Sequence, residues 1–279
     1  MIEKCLVCDG KSFNNTLETL SRCNNCGFVT YDMTSTKDSF KEIYNDDYFS
    51  GGEYHNYIAD RDAIQANFKL RLKVLNKYIN NNHHKLFEIG SAYGYFLDSA
   101  KHRFDLVSGI DITHEGCMFA QEQLGINVVE GDYLDYACEY KPDVFCMWDT
   151  IEHLPEPDLF IAKISQDIST DGLLCITTGD IDSIVARIRG SKWRLIHPPT
   201  HIHYFSKKTI TKLLNKYGFE IIHFEHCGFY RSLDLILYQL LVIQNKSPKL
   251  YKYLEQKGIT KAKIYSNLYD IMFVIARKL

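Results

Sequence analysis

The segment MWDTIEHLP, residues 147–155, groups side chains that could bind a cation or move a proton. Asp149, Glu152 and His153 follow an apolar run and precede a proline. Two carboxylates and an imidazole could hold Mg²⁺ or Mn²⁺, which would polarise an acceptor hydroxyl. Alternatively, His153 is a general base, since imidazole titrates near neutral pH. In a third interpretation Asp149 or Glu152 caps a helix or packs a loop. The metal site is the least favoured of the three.

Further histidines occur in HPPTHIHYFS, residues 197–206. His201 and His203 are candidate bases, because this segment follows a predicted strand and should lie where an acceptor binds. The competing interpretation is that one histidine packs on the sheet while the others bond to the backbone. The sequence alone leaves both interpretations open.

Four cysteines near the N-terminus form two C-x2-C pairs with fourteen residues between the pairs: Cys5, Cys8, Cys23 and Cys26. Each pair can supply two thiolates from one tight turn, which is half of a tetrahedral zinc shell. Because protein ligands fill all four positions, we expect a structural Zn²⁺ and not a catalytic one. A segment of this length buries little core, so a metal would supply the missing stability.

From residue 83 onward, short apolar runs alternate with amphipathic stretches. This order predicts an α/β fold with a Rossmann-like, seven-stranded sheet and helices on both faces. The predicted strands are 85–90, 105–111, 126–132, 142–148, 172–178, 218–227 and 269–278. The predicted helices are 58–80, 94–103, 115–124, 157–168 and 206–216, and a helical insert is expected at about 229–266.

The chain therefore divides into three parts: a zinc-ribbon module (1–30), a connector with a helical lid (31–82) and the α/β domain (83–279). The connector is rich in tyrosine and aspartate. Its aromatic residues around Tyr44–Tyr57 would either cover a cofactor or form an apolar seam to the zinc module.

Small residues follow the first strand of the α/β domain, in FEIGSAYGYF, residues 87–96. Gly90, Ala92 and Gly94 would allow a tight turn and close approach of the backbone to a ligand. Asp111 then ends the second strand, where a ribose-binding acid belongs, and Asp132 ends the third. The alternative is that these acids only cap helices.

The turn E-I-G-S-A-Y-G resembles motif I of the class I S-adenosylmethionine-dependent methyltransferases. The resemblance implies that Glu88, Gly90, Ala92 and Gly94 form the loop beside the methionine part of the cofactor. It also implies that Asp111 holds the ribose, and that Asp132 with Tyr133 lies at the adenine. Asp149 would lie next to the methionine end.

Two segments extend the resemblance to bacterial sugar methyltransferases, including enzymes of capsule or O-antigen synthesis: the four-cysteine module and SKWRLIHPPTHIHYFSKKTITKLLNKYGFE (191–220). The resemblance implies methyl transfer to a sugar or nucleotide-sugar, with O-methylation favoured over C-methylation. D-x-x-E-H is also similar to the motif of metal-dependent ubiquinone-pathway and small-RNA O-methyltransferases. The competing hypotheses are an RNA or protein methyltransferase, and a binding protein with a dead methyltransferase fold.

Composition narrows the choice of partners. The chain has 279 residues, with 32 basic and 35 acidic side chains and a net charge of −3. Without a basic patch, nucleic acid is not an expected partner. The sequence shows no signal-peptide pattern and no membrane-spanning run, so a cytoplasmic protein is expected. The insert at 229–266 would form either a homodimer contact or a wall of the substrate site.

Overall fold

The computed structural model describes residues 3–31 and 60–279. The predicted lid around Tyr44–Tyr57 lies outside the described residues, as do residues 32–59 of the predicted connector as a whole. In chain order the strands are β1 (Phe13–Thr16), β2 (Leu20–Cys23), β3 (Val29–Tyr31), β4 (Lys85–Ile89), β5 (Leu106–Asp111), β6 (Asn127–Glu130), β7 (Val144–Trp148), β8 (Leu173–Gly179), β9 (His203–Tyr204), β10 (Phe219–His226), β11 (Phe229–Ser232), β12 (Lys263–Ser266) and β13 (Ile271–Lys278).

The α-helices are α1 (Arg61–Leu75), α2 (Tyr95–Ala100), α3 (His114–Leu124), α4 (Pro157–Asp167), α5 (Ile184–Arg189), α6 (Lys207–Lys216), α7 (Leu233–Leu237) and α8 (Pro248–Gln256). A π-helical turn, Tyr238–Gln244, follows α7, and 3₁₀ turns lie at Gly190–Lys192 and Ile259–Lys261. No described helix has the length and apolar character needed to cross a membrane.

Seven strands form the central sheet in the order β10-β13-β8-β7-β4-β5-β6. Strands β4, β5, β6, β7 and β8 are parallel, whereas β13 runs antiparallel to both β8 and β10. The predicted fold class and all seven predicted strands are confirmed. Because β4 to β8 are parallel, their carboxyl ends meet at one edge of the sheet, which is where ligands bind in such folds.

Alternate residues of each central strand pack on opposite faces, as the period of two requires. In β7, for example, Phe145 and Met147 pack toward α4 and α6, while Cys146 and Trp148 pack toward α1 and α2. These strands are apolar on both faces because helices cover both. Helix α4 begins with Pro157 in its first turn, where the missing N–H leaves no bond unmade.

The insert between β10 and β13 differs from the all-helical prediction. Its two ends form a β-hairpin-like pair in which β11 runs antiparallel to β12, and the helices lie between them. Three of the four residues of β12 are exposed and the fourth is partly buried. A strand this short, without a buried face, shows no alternation of apolar and polar residues in its sequence. The pattern could not distinguish such strands from helix ends.

The cysteine module belongs to a second sheet, which it shares with the α/β domain. Its strand order is β1-β2-β3-β9, and all pairs are antiparallel. Val29 pairs with Tyr204 and Thr30 with His203. The N-terminal module is therefore joined by backbone hydrogen bonds to the segment that the sequence marked as rich in histidine.

Candidate functional site

The turn after β4 is built from residues with positive φ. The φ angles are 74° at Gly90, 46° at Ala92 and 71° at Gly94. A Cβ at Gly90 would lie 2.7 Å from Thr150 Cγ2, so no side chain fits there without movement of the next loop. The turn thus brings backbone close to the residues that follow β7, and Ala92 accepts a conformation that alanine rarely adopts.

Asp111, at the end of β5, anchors this turn. Its carboxylate accepts hydrogen bonds from Ala92 N at 2.7 Å and from Thr113 N at 2.9 Å. The side chain is buried, and burial raises the pKa of Asp111 against the opposing effect of these hydrogen bonds. Asp111 therefore fixes the relative positions of the first two strand ends.

Glu88 lies in β4, two residues before Gly90. Its side chain is buried, and its Oε2 has no hydrogen-bond partner within residues 3–31 and 60–279. Burial, with a smaller effect of the Asp111 charge, raises the pKa of Glu88 well above its usual range. A buried acid without a donor is costly, so this atom is suited to meet a donor supplied by a ligand.

The two residues after β6 differ from each other. Asp132 is exposed, and its Oδ1 accepts a hydrogen bond from Leu134 N. The Tyr133 ring is fully buried, and its hydroxyl donates to Asp167 Oδ2 at 2.8 Å. The Tyr133 side chain therefore turns into the core beneath α4, so that only the backbone of Tyr133 can take part in the expected adenine contact.

Asp149 stands at the start of the loop after β7, with a φ of 51°. Its N–H donates to Thr177 O at 3.0 Å, and its Oδ1 accepts from the Thr177 hydroxyl at 2.9 Å. Its Oδ2 accepts from Arg71 at 2.8 Å, and the Arg71 guanidinium also covers the Trp148 ring. Sequence reasoning missed Arg71, since a single arginine on an amphipathic helix carries no local signal.

Glu152, His153 and His201 come together next to this loop. One ligand atom from each lies within 4.8 Å of the others. The predicted trio of Asp149, Glu152 and His153 is therefore replaced: Asp149 pairs with Arg71, and His201 takes its place. Sequence could not reveal this, because His201 reaches the group from a separate loop.

Burial shifts the pKa values of Glu152 and His153 in opposite directions. Burial, with a smaller effect of Asp149, raises the pKa of Glu152 to about 8. Burial, assisted by His201, lowers the pKa of His153 to about 3. At neutral pH the group thus contains a neutral imidazole and a carboxyl that is largely protonated when no cation is present. The His153 and His201 rings lie edge to face, 4.6 Å apart between centroids.

His203 has a different environment from His201. Its ring is buried, with Nδ1 2.9 Å from the Thr30 hydroxyl and Nε2 3.2 Å from Pro155 O. The Phe28 ring of the cysteine module packs on it. Burial lowers the pKa of His203 to about 4. Both ring nitrogens are engaged, so the geometry places His203 in the contact between module and domain and away from the group of His201.

The four N-terminal cysteines converge as their spacing indicates. Their sulfur atoms all lie within 4.8 Å of one another. Cys5 Sγ is 3.6 Å from Cys26 Sγ, and Cys8 Sγ is 3.6 Å from Cys23 Sγ. None of the cysteines in the described part of the chain forms a disulfide. The arrangement is that of four thiols around one point.

The strand order, the antiparallel last strand and the glycine turn beside two strand-end acids define an α/β enzyme that binds a nucleoside cofactor. Residues 59–224, more than half of the chain, match the family model described as a methyltransferase domain. The chain therefore belongs to the methyltransferase-domain family, as a class I S-adenosylmethionine-dependent enzyme. No curated protein matches the sequence significantly.

Solved structures share the fold. A possible histamine N-methyltransferase from Thermotoga maritima aligns at 16% identity and a TM-score of 0.55, covering 85% of this chain and all of its own. Magnesium protoporphyrin IX methyltransferase from Synechocystis, with bound S-adenosylhomocysteine, aligns at 14% identity and 0.55, covering 86% and 100%. An Archaeoglobus fulgidus methyltransferase aligns at 19% identity and 0.53, covering 86% and 99%. These similarities show the fold alone.

Proposed function

We propose that this enzyme transfers a methyl group from S-adenosylmethionine to a hydroxyl of a small polar metabolite, a sugar or nucleotide-sugar. The observation that carries this proposal is the position of Glu152, His153 and His201 beside Asp149, at the same sheet edge as the Gly90 turn. Acid–base groups that border a cofactor turn suit an acceptor that must lose a proton. An RNA-binding role would instead favour a basic chain, whereas the net charge here is −3.

The residues of the glycine turn fit the cofactor. A Cβ at Gly90 would meet the Thr150 side chain, so the glycine lets this turn pack directly on the loop after β7. The orphaned Glu88 Oε2 can accept from an ammonium group, and Asp111 lies at the strand end typical of ribose binding. Asp132, exposed at the end of β6, is the proposed contact at the adenine. When bound, the cofactor supplies an electrophilic methyl group on sulfur.

Glu152, His153 and His201 are the proposed binding site of the acceptor hydroxyl. His153 Nδ1 faces Thr200 O at 2.9 Å, and His201 Nδ1 faces Leu195 O at 2.9 Å. Because a carbonyl only accepts, each Nδ1 must donate, and each Nε2 carries the lone pair. Both imidazole rings therefore stand beside the buried Glu152. His201 is the proposed proton acceptor and His153 the orienting group, because the lowered pKa of His153 makes its ring a weak base. Proximity to the cofactor turn aligns the acceptor oxygen for transfer.

A structural Zn²⁺ is proposed for the cysteine module. Tetrahedral zinc with Zn–S bonds of about 2.3 Å places its sulfur atoms about 3.8 Å apart. The two sulfur pairs at 3.6 Å are close to that spacing. The ion would fix β3, whose pairing with β9 supports the loop that carries His201. A homodimer through the insert at 229–266 remains an expectation from the sequence.

Methyl transfer from labelled S-adenosylmethionine to a panel of nucleotide-sugars tests the proposal. We expect label in at least one nucleotide-sugar with the wild-type protein, and none with Asp111→Ala. A His102→Gln variant, altered at an exposed position after α2, serves as the control with wild-type activity. Label that enters RNA or protein, with every sugar unlabelled, would overturn the proposed substrate class.

A further inference from the structure

Two arginines lie against one phenylalanine ring beyond the end of β8. The guanidinium carbon of Arg194 is 5.3 Å from the centroid of the Phe229 ring, and that of Arg231 is 4.9 Å from the same centroid. Phe229 and Arg231 belong to β11, whereas Arg194 belongs to the segment between α5 and β9. Two positive charges from separate parts of the chain are therefore held around one ring.

The two arginines differ in their partners. Arg194 donates to Asp270 Oδ1 at 2.8 Å, and the other oxygen of this buried carboxylate accepts from Trp193 Nε1 at 2.9 Å. The Arg231 guanidinium forms neither a hydrogen bond nor an ion pair with residues 3–31 and 60–279. One carboxylate, already bonded on both oxygens, thus stands beside two guanidinium groups.

The environment of Arg231 leaves its donors available. The residue is half-buried, so its charge has lost part of its hydration without gaining an acceptor. Burial, with a smaller effect of the Arg194 charge, lowers the pKa of Arg231, but a guanidinium keeps its proton at neutral pH. Asp180, another buried carboxylate at this edge of the sheet, has His226 Nε2 as its partner at 2.8 Å. Arg231 is therefore suited to meet an oxyanion supplied by a ligand.

The arginine pair lies at the edge of the sheet where the acceptor is proposed to bind. Asp270, which holds Arg194, precedes β13, and its carbonyl accepts from Asp180 N directly after β8. The residue after Arg194 is Leu195, whose carbonyl accepts from His201 Nδ1 at 2.9 Å. The cofactor turn follows β4, which β7 separates from β8. An anion at the arginine pair would thus belong to the acceptor and not to the cofactor.

We propose that Arg194 and Arg231 bind the diphosphate group of a nucleotide-sugar acceptor. This rests on the proposed function and narrows its acceptor to a sugar that carries phosphate. Arginine forms paired hydrogen bonds with phosphate oxygens through its planar fork, and these bonds are stronger than those between neutral groups. A diphosphate has two linked anionic groups, so it can meet both guanidiniums and offset their mutual repulsion. The attached sugar would extend along the segment that leads from Arg194 to His201.

Calorimetric titration of pyrophosphate into the full chain tests this proposal without assuming a particular nucleoside. We expect one pyrophosphate per wild-type chain. Arg231→Gln should weaken binding at least about tenfold, because it removes a charged donor and leaves the pair of Arg194 and Asp270 intact. Arg231→Lys, which keeps the charge but not the planar fork, should bind with intermediate affinity.

The matched control is Arg103→Gln. Arg103 is exposed and also lies over a phenylalanine ring, that of Phe104, but it precedes β5 and so lies at the opposite edge of the sheet. This variant should bind pyrophosphate as the wild-type protein does. Circular dichroism verifies that every variant folds.

Three binding results would overturn the proposal. The first is absence of pyrophosphate binding to the wild-type chain, or equal binding by Arg231→Gln and Arg103→Gln. The second is tighter binding of glucuronate than of pyrophosphate, which would assign the arginines to a carboxylate. The third is an equal loss of S-adenosylmethionine affinity in Arg231→Gln, which would assign Arg231 to the cofactor.

Methyl-transfer assays separate this proposal from the proposed function. If uncharged free sugars accept the methyl group as well as nucleotide-sugars do, the diphosphate site fails while the proposed function stands. If pyrophosphate binds as expected but neither kind of sugar is methylated, the proposed function fails while Arg194 and Arg231 remain an anion site.

Discussion

The imidazole rings of His153 and His201 meet edge to face, with centroids 4.6 Å apart, although they belong to different loops. One loop follows β7 and the other precedes β9, so the contact depends on the fold and not on local sequence. Backbone hydrogen bonds from Ile202 and His203 to Glu152 O hold the two loops together. The histidine pair is therefore a fixed feature of the site.

His201→Gln should lower kcat by at least about a hundredfold, since it removes one of the two Nε2 atoms that face the acceptor. S-adenosylmethionine binding should change little, because the Gly90 turn and Asp111 are untouched. Steady-state kinetics and calorimetry on one preparation separate the two effects. The control is His102→Gln, at an exposed position after α2. Equal kcat for His201→Gln and His102→Gln would exclude His201 from catalysis.

Gly90→Ala should abolish most cofactor affinity, with a loss of at least about tenfold. The new Cβ would lie 2.7 Å from Thr150 and would also sit at a φ of 74°. Gly125→Ala is the matched control: its φ is 65°, but nothing lies within 4 Å. Only backbone strain, about 1–2 kcal/mol in unfolding free energy, is expected there. Similar affinity losses in both variants would show that strain, and not the clash, causes the effect.

Arg71→Met should weaken S-adenosylmethionine binding about tenfold, because Asp149 loses its charge-assisted hydrogen bond at 2.8 Å. The methionine preserves apolar contact with Trp148, so α1 should stay in place. Lys69→Met, at an exposed position of the same helix, is the control. Calorimetric titration measures the difference. Identical dissociation constants for the two variants would remove Arg71 from the site.

Cys26→Ser should release zinc and lower kcat about tenfold to a hundredfold, although no cysteine of the module touches the histidine pair. Loss of zinc should loosen β3, in which Thr30 pairs with His203. Because His203 N donates to Glu152 O, the position of Glu152 should then change as well. Cys138→Ser, a partly buried cysteine outside the module, is the control. Zinc content and single-turnover rates are measured together. Zinc loss at constant turnover would show that the module does not support the site.

His83 gives a prediction for stability against pH. Burial lowers the pKa of His83 below the value near 6.5 of an unfolded chain. As pH falls below about 6.5, the unfolded state takes up a proton that the folded state does not, so the free energy of unfolding falls. His83→Gln should flatten this decline in urea unfolding between neutral and acidic pH. The exposed His102, changed to Gln, should leave this decline intact.

The elements with local signals could be predicted. The seven strands, the cysteine cluster and the strand-end acid Asp111 depend on short-range spacing and on the parallel order of strands. The direction in which a side chain points could not be predicted from the sequence. Asp132 and Tyr133 are neighbours, yet Asp132 is exposed and Tyr133 is buried in the core. The sequence marked both as ligand contacts because it shows where a strand ends but not which face a side chain takes.

Contacts between residues that are distant in the chain could not be predicted from the sequence. His201 and His203 lie two residues apart in the sequence, so both could be suggested as bases. Only the pairing of β9 with β3 shows that His203 serves the module contact. The replacement of Asp149 by His201 beside Glu152 likewise depends on Arg71, which comes from a distant helix.

Calorimetric titration of S-adenosylmethionine into the wild-type protein and Asp111→Ala tests the central claim most directly. Asp111 accepts from Ala92 N and stands at the proposed ribose contact, so its removal affects both the turn and the ligand. We expect one binding site per wild-type chain and an affinity at least about tenfold lower for Asp111→Ala. Absence of binding to the wild-type protein, or equal affinity in the two proteins, would contradict it.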